Sequence, residues 1–186
     1  MSEIYNSGMN ELLKGEYDEA SLEFDEVERQ HPYSVWSRKA ALLSAYSRYQ
    51  RNEYDLAIAS ITRYIELYPA SKDIDYAYYL LALCHYEQMI DTKRDQTQAL
   101  LAYDALNEVV NRFPDSDYGR DSNYKINLVI DHIAGKEMEV GRTYLYLKHY
   151  IAAANRFRKV VKEYDTTNYV PEALARLVEI YMILGV

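Results

Sequence analysis

Small and apolar residues recur along this chain in a fixed order, separated by short polar turns, and one block of the pattern takes about 34 residues. In the first block, Gly8 and Ala20 are small enough to let two helices approach closely, and Phe24 fills the space between them. Gly15 lies where the first helix must stop, because glycine adopts the left-handed C-cap conformation without steric cost. Since Pro32 ends the second helix, the block predicts a helical hairpin.

The same spacing returns along the rest of the chain, and its length is that of the tetratricopeptide repeat. We predict an all-α superhelix of about four and a half such hairpins, in which each hairpin buries its apolar face against its neighbours. The fifth copy has only its first helix before Val186. The later copies are marked by Ala45, Tyr54, Ala57, Ile61 and Pro69; by Ala102, Leu106, Val109 and Pro114; by Gly141, Tyr150, Ala153, Phe157 and Val160; and by Leu174, Leu177, Tyr181 and Gly185.

Apolar periodicity places the individual helices. The third copy fits only if eight extra residues near 91–98 separate its two helices. No strong stop signal lies between Asp117 and Leu147, so we predict one long helix there. Ser34, Ser71, Ser116 and Thr167 each offer a hydroxyl as an N-cap for the following helix. The predicted helices run over about 3–14, 17–30, 35–50, 54–68, 74–89, 98–113, 117–147 and 151–164, with a ninth from 171.

Charge is unevenly distributed along the chain. The formal net charge is −8, which argues against nucleic acid as a partner because a phosphate backbone requires a basic face. The segment from Arg142 to Lys162 nevertheless holds six basic residues and no acid. Along one continuous superhelix we distinguish repeats 1–3, residues 1–114, from the long helix and the last repeats, residues 115–186.

No catalytic or metal-binding constellation stands out. The four histidines are far apart in the sequence and none has a metal-ligand spacing. The acidic residues on the second helix, Asp18 to Glu28, read as a solvated face, and Cys84 reads as a buried, unreactive thiol. No apolar run is long enough to span a membrane, and Met1-Ser2-Glu3 leads directly into a helix without a signal peptide. We predict a protein that is not an enzyme and that has neither cofactor nor metal.

Tyrosine is the unusual residue, with 21 copies. In a superhelix of hairpins the first helix of each pair lines the concave side, and residues three to four apart on it form one stripe. Tyrosine suits a binding groove because it offers stacking area and a hydroxyl at low entropic cost. We predict a peptide-binding groove, with inter-helix packing as the alternative, formed by Tyr5, Met9, Lys39, Tyr46, Tyr49, Tyr76, Tyr79 and Tyr86.

Several stretches resemble the BamD/ComL family of outer-membrane assembly lipoproteins. They are 140–145, 150–157, 172–179, Arg94-Asp95-Gln96-Thr97 in the insertion, and Phe113-Pro114-Asp115-Ser116-Asp117-Tyr118. The resemblance covers nearly the whole chain and includes the insertion and the long seventh helix.

The resemblance implies a role in the β-barrel assembly machine, on the periplasmic face of the bacterial outer membrane, with an N-terminal lipid whose cysteine is absent here. It implies that the first repeats meet unfolded outer-membrane proteins and that the last repeats meet the POTRA domains of BamA, alongside other lipoproteins of the complex. Arg156 matches the family's Asn-Arg motif facing BamA, and Arg142 and Lys159 join it in the predicted partner-binding set. Two alternatives stay open: a Tol-associated repeat adaptor, expected to lack the long helix, and a hydrolase with accessory repeats.

Overall fold

The computed structural model describes residues 2–32, 34–91 and 96–185, and these residues form nine α-helices and no strand. The all-α prediction of paired helical hairpins is confirmed. Helix boundaries agree with the sequence prediction to within two residues. The helices are α1 (Ser2–Lys14), α2 (Tyr17–Gln30), α3 (Val35–Gln50), α4 (Tyr54–Leu67), α5 (Ile74–Asp91), α6 (Thr97–Arg112), α7 (Asp117–Tyr146), α8 (Tyr150–Glu163) and α9 (Val170–Leu184).

The turns inside three hairpins share one backbone conformation. Gly15, Asn52 and Lys148 occupy the same position and all have positive φ, at 84°, 60° and 61°. In each turn the next residue donates its backbone N–H to a carbonyl five residues earlier, as Glu16 does to Glu11. This is the Schellman geometry, which satisfies carbonyls left unpaired at a helix end.

The turns between hairpins also repeat. The residue that follows α2, α4, α6 and α8 has φ between −140° and −129° and ψ between 43° and 60°. Its N–H still bonds the carbonyl four residues earlier, and its own carbonyl accepts the N–H of the hydroxyl residue three positions on. These pairs are Ser34 to His31, Ser71 to Tyr68, Ser116 to Phe113 and Thr167 to Tyr164.

Two of the four predicted hydroxyl caps are present. Ser34 Oγ accepts the N–H of Ser37, and Ser116 Oγ accepts the N–H of Gly119, both at 2.9 Å. The prediction is wrong for Ser71 and Thr167, because α5 and α9 begin three residues after these hydroxyls. Both side chains are buried instead, Ser71 against the hydroxyl of Tyr64 at 2.7 Å and Thr167 on the carbonyl of Tyr164 at 2.8 Å.

The seventh helix has 30 residues, whereas the other eight have 13 to 18. The prediction of a long helix is confirmed. Of the predicted insertion, residues 92–95 lie outside the described part of the chain, and Arg94 and Asp95 of the resemblance lie there too. No helix among the described residues is long and apolar enough to cross a bilayer.

The chain divides into two compact units, Met1–Asn123 and Tyr124–Val186, each with its own core. In unit 1, Phe24 and Val27 pack with Ala20 between the first two hairpins, and a second cluster surrounds Ile61, Tyr64 and Leu80. In unit 2, Met138, Phe157 and Ile180 form the centre of a cluster built from the second half of α7 together with α8 and α9. Burial of these side chains, at about 1.5–3 kcal/mol for each large one, is the main force holding the hairpins together.

Candidate binding sites

A cavity of about 310 Å³ opens in unit 1, where first helices of successive hairpins come together. Three of the predicted groove residues line it: Tyr5 from α1, Lys39 from α3 and Tyr76 from α5. Leu42 and Leu43 of α3 supply apolar wall, because they lie one helical turn from Lys39 on the same helix. Asp73, Lys39 and three phenol rings make the lining both charged and aromatic.

Two of the lining rings, Tyr76 and Tyr118, belong to an aromatic cluster with Tyr79, a predicted groove residue that does not itself line the cavity. Tyr118 lies 5.1 Å from Tyr79, centroid to centroid, in a stacked arrangement, and 5.4 Å from Tyr76. Tyr79 donates its hydroxyl to the carboxylate of Asp121. Burial raises the pKa of both Tyr76 and Tyr79, so their hydroxyls remain protonated donors at neutral pH. The rings of Tyr76 and Tyr118 are therefore held in contact with each other, and Tyr79 is anchored beside Tyr118 through its hydroxyl.

Tyr5 is the lining residue that α1 contributes to the cavity. Its ring contacts Phe24 at 5.8 Å and Trp36 at 4.8 Å between centroids. Lys39 Nζ lies 6.0 Å from the ring of Trp36, within cation–π distance. Since Trp36 is the single tryptophan of the chain, its fluorescence reports directly on the surroundings of Tyr5.

The remaining predicted groove residues do not line this cavity. Met9 packs against the core around Phe24, and Tyr46 and Tyr49 pack against the second core of unit 1. The hydroxyl of Tyr46 accepts a hydrogen bond from Gln50 at 2.7 Å, and burial raises the pKa of Tyr49 to about 12. Tyr86 is partly buried on α5. For Met9, Tyr46 and Tyr49, the contacts fit the packing alternative better than a lining role.

Four lining residues are absent from the predicted groove set, and two of them, Leu42 and Leu43, lie on α3 beside the predicted stripe. Tyr118 lies at the start of α7, beyond the predicted boundary at 114, and Asp73 precedes α5. Asp73 lies in the turn between two hairpins and Tyr118 in the first turn of α7, and the predicted stripe on α1, α3 and α5 includes neither. The resemblance contained a signal for one of them, because Tyr118 ends the Phe113–Tyr118 stretch.

A second cavity of unit 1, of about 470 Å³, lies among α2, α3 and α4. The interpretation of α2 as a solvated acidic face is wrong for three of its acids, which pair with arginines of the next hairpin. Asp25 accepts from Arg48 at 2.5 Å and from Ser44 Oγ at 2.6 Å, and Glu28 pairs with Arg63. At the turn, Asp18 pairs with Arg51 at 2.6 Å. The ion pairs connect the first hairpin to the second. Because Asp25 and Glu28 are both paired, the acidic charges that line this cavity are neutralised by neighbouring arginines.

In unit 2, the basic residues predicted to bind a partner contact acids of the same unit. Glu137 on α7 is only 2% exposed, and its two carboxylate oxygens accept from Arg156 Nη1 at 2.9 Å and from Lys159 Nζ at 2.8 Å. Burial raises the pKa of Glu137, but the hydrogen bonds from the two cations outweigh burial and lower it overall. Arg156 thus pairs with an acid of α7 and not with Glu163 of its own helix.

Arg142, the third residue of the predicted set, forms a two-pronged ion pair. Its Nε and Nη2 donate to the two oxygens of Glu172 at 2.8 and 2.5 Å, which joins α7 to α9. The side chains of Arg142, Arg156 and Lys159 are 44%, 42% and 36% exposed. Each cation is thus held on its buried side and accessible on the other.

Within the described ranges, no cluster of three or more histidine, cysteine or carboxylate side chains could hold a metal ion. Cys84 is buried in the second core of unit 1, as predicted, and burial raises the pKa of its thiol to about 12. Such a thiol is almost entirely protonated at neutral pH and is a poor nucleophile.

Repeated helical hairpins with these turns define a class of protein, the tetratricopeptide-type helical repeat proteins. The family model described as YfiO, outer membrane lipoprotein, matches residues 1–186. The chain belongs to this family of outer membrane lipoproteins, and the family resemblance seen in the sequence is confirmed. Membership also confirms that the protein is not an enzyme.

Several curated relatives agree. The chain is 45% identical over 182 residues to the outer membrane protein assembly factor BamD of Caulobacter vibrioides, covering 98% of this chain and 60% of that protein. It is 44% identical to BamD of Rickettsia prowazekii, covering 98% and 72%, and 35% identical to BamD of Neisseria meningitidis serogroup A, covering 100% and 73%. The chain thus spans between three fifths and three quarters of the length of these relatives.

Family membership decides between the alternatives left by the sequence. A Tol-associated adaptor was expected to have a seventh helix as short as its neighbours, whereas α7 has 30 residues. The hydrolase alternative required a pocket with a strongly perturbed carboxylate. Among the residues that the structure describes, the buried acid whose pKa is shifted is Glu137. Its two carboxylate oxygens already accept hydrogen bonds from Arg156 and Lys159, so this carboxylate is not a free group in a pocket.

Proposed function

We propose that the chain is a non-enzymatic scaffold of the outer-membrane β-barrel assembly complex, working on the periplasmic face of the outer membrane. In this proposal the cavity of unit 1 receives aromatic side chains of unfolded outer-membrane proteins, and the cations of unit 2 bind the POTRA region of BamA. The native protein is held to the membrane by an N-terminal lipid and contacts other lipoproteins of the complex. The part that binds unfolded substrate comprises residues 1–114 together with Tyr118. The part that binds BamA comprises the rest of residues 115–186. We call them the substrate part and the partner part.

The observation that carries the substrate part is the shared cavity of α1, α3 and α5. Its volume of about 310 Å³ lies at the lower end of the range for ligand pockets, enough for one or two large side chains. Phenol rings of Tyr5, Tyr76 and Tyr118 offer stacking faces, which favour offset contact with another aromatic ring. Lys39 and Asp73 provide one charge of each sign for the backbone ends or side chains of an extended segment.

The partner part is supported by the arrangement of the basic side chains. Arg142, Arg156 and Lys159 are each fixed by an acid of unit 2 while a third or more of the side chain stays exposed. A cation that is already positioned loses less conformational entropy when it binds an acidic partner. Unit 2 also carries nine basic and seven acidic residues, whereas the chain as a whole is strongly acidic.

Site-specific photocrosslinking tests both parts. A photoreactive residue replaces Tyr76, or in a second variant Tyr124, which is 73% exposed in unit 2 and outside both sites. Unfolded outer-membrane protein should crosslink at position 76 and not at 124. A photoreactive residue at Asn155, which is exposed next to Arg156, should crosslink to the POTRA region of BamA.

Equal crosslinking of the unfolded protein at positions 76 and 124 would contradict the substrate part. Absence of POTRA crosslinks at position 155, while the complex still assembles around the variant, would contradict the partner part.

A further inference from the structure

Glu137 is an unexpected residue in the core of unit 2. Its neighbour Met138 and the facing Phe157 are fully buried, and Glu137 itself is only 2% exposed. Burying a carboxylate is costly, and apolar residues of similar volume often serve stability as well or better. The position therefore calls for a reason other than packing.

Both oxygens of Glu137 are used by cations from α8. Arg156 and Lys159 lie three residues apart, on neighbouring turns of that helix, and one donates to each oxygen. Lys159 Nζ also lies 6.0 Å from the ring of Tyr164, which restricts it from a second side. The carboxylate thus fixes two long, otherwise mobile side chains in one geometry.

The outer sides of these cations stay available. Arg156 contacts Glu137 through Nη1 and also interacts with the hydroxyl of Tyr144, and the rigid guanidinium plane carries five N–H donors in all, more than these two contacts use. With 42% of the side chain exposed, donors can be offered to a carboxylate from outside in the two-pronged geometry that arginine favours. We propose that Glu137 is a positioning residue that holds Arg156 and Lys159 as a preformed pair for an acidic group of a partner protein. This inference rests on the proposed partner function of unit 2.

Positioning and bulk electrostatics predict opposite signs for one substitution. Glu137→Gln keeps the side-chain shape and removes one negative charge, so unit 2 becomes more basic. If the cations acted only through their overall field, an acidic partner would bind this variant more tightly, above all at low salt. If Glu137 positions them, the variant binds more weakly despite the added positive charge.

The experiment measures binding of the 186-residue chain to purified BamA POTRA region by calorimetry, at two salt concentrations. We expect Glu137→Gln to weaken binding by about fivefold or more. Glu179→Gln makes the same charge change in the same unit at an exposed ion pair with Arg176, and we expect binding as tight as wild type or slightly tighter. Glu137→Asp, which keeps the charge but withdraws the carboxylate by one methylene, should also weaken binding.

A double variant, Arg156→Ala with Lys159→Ala, shows whether Glu137 acts through these cations. In that background Glu137→Gln should have no further effect on affinity, whereas a general structural defect would weaken binding again. Circular dichroism at the assay temperature confirms that each variant is folded.

The outcomes separate the inference from the proposed function. Wild-type or tighter binding by Glu137→Gln, or an undiminished effect in the double-variant background, would overturn the positioning role. Wild-type binding by the double variant itself would instead overturn the partner surface of the proposed function.

Discussion

Gly141 faces the ring of Phe157 so closely that a Cβ at position 141 would stand 2.6 Å from Cε1 of the ring. The first hairpin repeats this arrangement, where the same atom on Gly8 would stand 2.9 Å from Cε1 of Phe24. Real Cβ atoms essentially never approach so closely, and both rings are fully buried. The glycine is therefore required by the contact between the two helices of the hairpin.

Gly141→Ala should destabilise unit 2, although alanine is the better helix former by about 1 kcal/mol. The overpacked ring costs about 1–3 kcal/mol and so outweighs that gain. Gly135→Ala is the matched control on the same helix, since its Cβ meets the hydroxyl end of Tyr169, which can move. Urea unfolding followed by circular dichroism should give a lower midpoint for position 141 than for position 135. Equal midpoints would show that the core yields to the extra methyl.

Tyr76→Ala and Tyr118→Ala should each weaken binding of an aromatic-rich segment of an outer-membrane protein. A true hot spot costs about 1–3 kcal/mol on truncation, and Tyr124→Ala should cost almost nothing. Trp36 provides the readout, because its ring contacts Tyr5, which lines the cavity. If the melting temperature collapses in the two variants while affinity is kept, these tyrosines serve packing and not binding.

Arg156→Gln should weaken POTRA binding by about 2 kcal/mol, the range for a hydrogen bond to a charged group, and the loss should shrink at high salt. Charge reversal to glutamate is less informative, since it places a second acid against the buried Glu137 and so destabilises unit 2. Arg158→Gln is the control: it lies two residues along α8, is exposed, and contacts Asn155 and Tyr181. An affinity loss shared equally by both variants would mean that overall charge governs binding.

The depressed pKa of Glu137 predicts how unit 2 responds to acid. The folded state holds this carboxyl below its ordinary value of 4.5, so the ionised form stabilises the fold above that value. The stabilisation is lost as the pH falls through the folded pKa. The difference in unfolding free energy between wild type and Glu137→Gln should be largest near neutral pH and shrink below about pH 4.5. A difference that grows on acidification would show that the pKa is raised in the folded state.

Much of the fold was predictable from local patterns. Helix ends follow from apolar periodicity and from Gly15 and Pro32, and the small residue at Gly141 follows from its match to Gly8. Such features recur at a fixed spacing, which makes them visible without a structure. The site was less accessible, because Tyr79 meets Asp121 across 42 residues and Arg156 meets Glu137 across 19. Contacts of this kind depend on how hairpins pack against each other, and the pattern of residues along one helix does not contain that information.

The acid in α7 illustrates the difficulty. Glu137 lies in a helix whose apolar positions Ala134, Met138 and Gly141 mark the core face, and a charged residue beside them reads as solvent-exposed. The structure explains its burial, because Arg156 and Lys159 of α8 each form an ion pair with its carboxylate. The excess of basic residues in that segment was visible, but not the acid that organises them.

Three hairpin turns each contain one residue with left-handed backbone torsion angles, and this common geometry can guide the design of longer repeat arrays. Glycine adopts that conformation freely at position 15 and asparagine tolerates it at 52, while Lys148 holds it against a steric cost of about 1–2 kcal/mol. The three turns therefore share their backbone torsion angles although their residue types differ. A protein engineer who extends the scaffold by further hairpins can copy these torsion angles and place glycine at each such turn, which removes the steric cost there.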